Sequence, residues 1–159
     1  MFLEKHNIKE AFAPVDLNAA AVVGSRVSIK GCEKIAIVIS VGTSLTGGVV
    51  DISLKQHNAS TAGTSKAIAV AHPYFKKVGA DTSFTKVEVP VAADNYVLSS
   101  DFDVAAGTIV FEINAADLDV NNDFAWISVN LADGGVAKLG HAIYVLGDNE
   151  FIPAYSNAI

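Results

Sequence analysis

The chain has 159 residues, 51% of them hydrophobic and only 18% charged, with a formal net charge of -6. One domain of this size buries roughly 70% of its unfolded surface, and the single cysteine, Cys32, leaves no intramolecular disulfide to form. The acidic balance, with no cationic cluster beyond Lys76 and Lys77, argues against nucleic-acid binding, and the longest apolar run, Ile35 to Ile39, is too short to cross a bilayer.

Residues 1 to 26 carry apolar side chains, Phe2, Leu3, Ile8, Phe12, Val15 and Leu17, without a sustained period, and Pro14 breaks any helix running through it. An extended N-terminal arm, lying along its own domain or reaching a neighbour, is expected there, with a sandwich domain over 27 to 159. No basic n-region followed by a long apolar stretch opens the chain, so synthesis and folding in a cytoplasm are expected.

Strand signals begin at Val27 to Lys30 and recur at short intervals. Lys34 to Val41 alternates cleanly, with Ile35, Ile37, Ile39 and Val41 inward. Val50, Ile52 and Leu54 alternate with Asp51, Ser53 and Lys55 in the same way. Further strands are expected at Lys66 to Ala71, at Phe84 to Val91 with Val87, Val89 and Val91 inward, and at Tyr96 to Ser99. Ile109, Phe111 and Ile113 define another inward face, as do Ala125, Ile127, Val129 and Leu131, and Lys138 to Leu146 is the last. The strand carrying Trp126 has apolar residues on both faces. With no helical crossover in view, the pattern predicts an all-β antiparallel sandwich of about eight to nine strands, jelly-roll-like.

Motifs that carry chemistry are scarce. Gly42 to Gly48 has the glycines of a phosphate loop, but Gly48 and Val49 stand where the Lys and Ser/Thr belong, so a hairpin loop is the reading. Asp117, Asp119, Asn121 and Asp123 place oxygen ligands at alternate positions, as a calcium loop does; Asn122 and Ser128 exclude an EF-hand, leaving a loose calcium site as an alternative to ordinary turn-forming use of these residues. Asp101 and Asp103 form a weaker pair of the same kind. The four histidines, His6, His57, His72 and His141, lack metal-ligand spacing, and no nucleophile elbow occurs. Asn58-Ala-Ser60 matches a glycosylation sequon and, with no secretory signal expected, is expected to be a chance match. No catalytic residues are expected. Phe124 and Trp126 are contact candidates, because tryptophan is enriched at the energetic centres of interfaces.

The sequence resembles small structural proteins of tailed bacteriophages, the capsid decoration and auxiliary head proteins. The residues that carry the likeness are Phe12 to Leu17, Val27 to Gly31, the small-residue loop Ala59 to Ala67, and Ile113 to Val120 ahead of the Trp126 strand. The resemblance implies a non-enzymatic virion component, a decoration or cement protein on the capsid surface that binds the phage major capsid protein. It also implies a homo-oligomer, trimer or dimer, and contacts through Phe2, Leu3, Phe12, Val15, Leu17, Phe124 and Trp126. On that account residues 2 to 17 should be dispensable for folding and required for attachment. The alternative is a carbohydrate- or receptor-binding sandwich of a virion fibre, using Trp126 and the acidic loop.

Overall fold

A computed structural model describes residues 5–18, 20–43, 50–68, 73–88, 95–98 and 105–147. Its strands are β1 (His6–Asp16), β2 (Val22–Val23), β3 (Val27–Ser28), β4 (Lys34–Val41), β5 (Val50–His57), β6 (Ser65–Ala67), β7 (Tyr74–Val78), β8 (Thr85–Val87), β9 (Asn95–Leu98), β10 (Gly107–Asn114), β11 (Trp126–Leu131) and β12 (Leu139–Gly147). The first sheet runs β1-β12-β4-β10-β7-β8 and the second β2-β11-β5-β6, with β3 also on β11 and β9 also on β5.

Every pairing among these strands is antiparallel, and the pairings are nested. β1 pairs with β12, the interrupted strand β2 and β3 pairs with β11, β4 pairs with β10, and β5 pairs with β6 and β9. First with last, second with last but one, and so inward: a long hairpin has been rolled into two sheets, which is jelly-roll connectivity. The bonds β12 to β4 and β11 to β5 close each sheet across the roll. The hairpin β7 and β8 is an extension of the first sheet beyond β10.

The sheets meet over the residues that period-2 alternation marks as inward. Ile35, Ile37, Ile39 and Val41 on β4, Ile109, Phe111 and Ile113 on β10, Ile52 and Leu54 on β5, and Ile127, Val129 and Leu131 on β11 are all buried. From β12, Ala142, Tyr144 and Leu146 complete the layer.

The stretch read as an extended N-terminal arm, lying along its own domain or reaching a neighbour, takes the first course: it is β1, eleven residues long and hydrogen-bonded to β12 from His6 to Asp16. Its apolar residues keep no period because the register shifts between Glu10 and Phe12 and again between Phe12 and Val15. Each bulge turns the following side chains over, and Pro14 is tolerated because β1 is an edge strand. The chain then ends its strand at Leu17, which is fully buried, its N–H donated to the Lys138 carbonyl at 2.8 Å. β7 is a strand that the alternation does not predict: Lys76 and Lys77 put a cation on each face, so neither face reads as apolar. β6 starts one residue earlier than expected, at Ser65. The expected positions Phe2, Leu3, His72, Val89, Val91, Asp101 and Asp103, and most of the Gly42 to Gly48 loop, lie outside the described residues.

Candidate functional site

The acidic connection between β10 and β11 folds as two single 3-10 turns, Ala115–Asp117 and Val120–Asn122. The Asp117 carboxylate turns back and accepts the Asn114 N–H at 2.9 Å, closing the first turn. Asp119 faces elsewhere: its carboxylate is ion-paired with the Lys66 ammonium and accepts both bonds of the Asn122 amide, at 2.8 and 2.9 Å. Those bonds from Lys66 and Asn122 hold its pKa below the ordinary value. Asp123 ends the second turn in the left-handed region at φ 63. Of the four calcium candidates Asp117, Asp119, Asn121 and Asp123, the structure thus turns the carboxylates of Asp117 and Asp119 to separate local partners. Among the described residues no three His, Cys, Asp or Glu side chains are grouped to hold a metal ion.

Phe124 is buried at 5% exposure, with the Lys66 ammonium 4.4 Å above its ring centroid. It packs inside the protomer and is not a contact surface, which corrects that expectation, as burial of Leu17 does for the arm. Phe12 and Val15 are partly buried against the core. Trp126 alone of the aromatic pair reaches solvent. It sits in register between Ser28 of β3 and His57 of β5. With Asn7, Lys9, Arg26, Ser28 and Leu146 it lines a cleft of about 420 Å³ where β1 and β3, the edges of the two sheets, part. That volume falls in the range of small-molecule sites.

Beside Trp126 lies a polar chain that spans three strands. Ser65 and Ser128 hydroxyls flank the buried His57 ring, 2.6 Å from Nδ1 and 2.9 Å from Nε2. Ser128 donates to Asn130 Oδ1 at 3.3 Å, and that oxygen also accepts the Gly24 N–H, which settles its identity. Ser128 must then accept from His57 Nε2–H, so Nδ1 is the bare nitrogen that accepts the Ser65 hydroxyl proton. Arg26 closes the chain from outside, donating to the carbonyls of Ala59 and Ala62 and, at 3.3 Å, to Ser65 Oγ. Burial, then the charges of Arg26 and Lys55, push the His57 pKa down to about 4. An imidazole of that basicity is a weak general base near neutral pH, so hydroxyl, ring and hydroxyl together act as a satisfied polar clamp between β5, β6 and β11.

Neither alternation nor motif spacing marks this clamp in the sequence. His57 and Ser128 are 71 residues apart and Ser65 is an ordinary loop-edge serine. The only local sign was a histidine on the polar side of an otherwise alternating strand.

No protein-family model matches the chain, and neither does any curated protein. Among solved structures it is similar to the VP2 subviral particle of infectious bursal disease virus, with TM-score 0.29 and 12% identity over 92% of this chain and 42% of that one. The Gt strain of the same virus gives TM-score 0.28 and 11% identity over 92% and 42%. A Podospora anserina GH26-CBM35 β-(1,4)-mannanase gives TM-score 0.18 and 13% identity over 94% and 29%. The chain spans less than half the length of each, and likenesses this distant decide nothing about function.

Proposed function

We propose that the chain is a non-enzymatic structural protein of a virion, a capsid decoration protein that binds a major capsid protein at the outer surface of the head. The nested strand pairing is the observation that carries this reading, since a complete jelly roll is an architecture shared by viral capsid domains and lectins. The acidic charge favours a place outside the shell over one against packaged nucleic acid. The polar cluster around His57 is consistent with it, because its groups satisfy one another and leave no activated nucleophile. Purified protein mixed with heads lacking it should sediment with them and saturate at a fixed stoichiometry. Failure to bind heads of the virus whose genome encodes the chain would overturn the reading.

A second reading has one observation in its favour: Trp126 shares its cleft with amide, hydroxyl and cationic side chains, the mix that recognises a saccharide. A glycan array separates the two, since specific glycan binding lost in Trp126→Ala supports the second.

A further inference from the structure

Following the registers of the first sheet across all six strands yields one unbroken line of directly opposed residues: Glu10, Ile143, Val38, Val110, Phe75 and Lys86. Val38 lies between buried Ile37 and Ile39, and Val110 between buried Ile109 and Phe111, so the line runs along the outer face. Phe75 is on the same face, since its neighbour Tyr74 packs against the core. None of the four apolar members is buried. In the adjoining line on one side, Ile8, Val145 and Ala36 extend the band before Glu112 closes it, and Ile8 is 47% exposed, while the line on the other side, His141, Ser40, Thr108 and Lys77, is polar and bounds the band. Leu139, at 63% exposure, extends the face along β12. A sheet with one wet face ordinarily puts polar residues there.

We propose that this face is a self-association surface, on which a second copy of the chain packs sheet against sheet about a two-fold axis parallel to the strands. The charges select that partner. Such an axis reverses the order of the strands, so the Glu10 end of each line falls over the Lys86 end of the other, twice. Lys86 already meets Glu88 at 2.6 Å in an exposed pair, so Glu10 of the partner joins a rim network that sets alignment while the apolar residues between provide the attraction. Six strands span about 24 Å and an eight-residue strand about 27 Å. The face thus offers roughly 650 Å² in projection, close to the roughly 800 Å² that each side of a standard interface contributes. Aligned packing of sheets about 10 Å apart is a favoured geometry for such faces. The inference does not depend on the virion reading.

Sedimentation velocity on the full chain between about 1 and about 100 µM tests it. A dimer is expected. Val38→Lys and Val110→Lys should each weaken it by at least about 100-fold, because a cation would be held in the dry centre of the face. Glu10→Lys should weaken it about fivefold through its two symmetric pairs, and adding Lys86→Glu should restore it. Circular dichroism reports whether each variant folds. Where a lysine variant does not, the exposed charge-reversal pair carries the test. A monomer throughout the range, a trimer, or a dimer indifferent to both the lysine and the charge-reversal variants would overturn the proposal.

Discussion

Tyr144, carried by β12 in the first sheet, accepts the N–H of Val129 on β11 in the second at 3.0 Å and donates to the Ser25 carbonyl at 3.0 Å. One hydroxyl thus ties the two sheets together and holds the turn before β3, at a site with 0% exposure. Tyr144→Phe keeps the ring but strands a buried donor and acceptor, so a loss of about 1–3 kcal/mol is expected. For a chain of this length that lowers the melting temperature by roughly 3–10 °C in calorimetry, and an unchanged transition would show that the bridge contributes nothing.

The same hydroxyl makes a prediction about alkali. Burial pushes the Tyr144 pKa up to about 12 from 10.0, outweighing the stabilising Val129 bond. The folded state therefore holds its proton where the unfolded state has lost it. The stability due to this group is complete below pH 10 and is lost as pH rises from about 10 to about 12. Urea midpoints measured across that window should fall for the wild type, with a shallower slope in Tyr144→Phe.

His57 behaves in the opposite sense. Its folded pKa of about 4 lies below the ordinary 6.5, so the folded state resists protonation and the unfolded state does not. Stability due to the clamp is present above pH 6.5 and is lost as pH falls toward 4. His57→Gln can still bond to both serines and should flatten the melting temperature over that window. A wild-type curve with no acid slope between these values would contradict the clamp.

Leu17 is predicted to matter for folding, where an arm residue would not. A Cβ placed on Gly140 would stand 2.8 Å from a Leu17 methyl, so the two are in close contact. Leu17→Ala should cost about 2–5 kcal/mol in denaturant unfolding, and Gly140→Ala should destabilise by overpacking. Deleting residues 2 to 17 removes β1 with this contact and should unfold the protein or leave it aggregation-prone, against the expectation for a dispensable arm.

The Lys66, Asp119 and Phe124 cluster should contribute modestly. Both partners of the ion pair are part exposed, at 41% and 28%, so a double-mutant cycle between Lys66→Met and Asp119→Asn should give only a weak coupling. Salt should reduce it further.

Legibility in the sequence followed exposure contrast. β4 and β10 each lie between two neighbours with a dry face and a wetter one, so their alternation predicted every buried residue from Ile35 to Val41 and from Ile109 to Ile113. β1 and β7 did not read as strands, the first because bulges break its period and the second because cations stand on both faces. Of the site residues, Trp126 was recognised as a surface feature, whereas Phe124, two positions earlier, was misplaced because the loop before β11 turns its ring under Lys66. The Ser65, His57 and Ser128 clamp had no local signature, since its members come from strands that meet only in the folded chain.

Composition and alternation by themselves determined that this chain is acidic, free of internal disulfides, and built of antiparallel strands with identifiable inward residues, because those properties depend on side chains one or two positions apart. The tertiary structure alone decided that the N-terminal stretch is a strand of its own sandwich, that Leu17 and Phe124 are interior, and that one apolar line crosses the outside of the first sheet from Glu10 to Lys86. Those outcomes rest on which distant strands capture each other's backbone hydrogen bonds and in what register, a competition that no window of sequence contains.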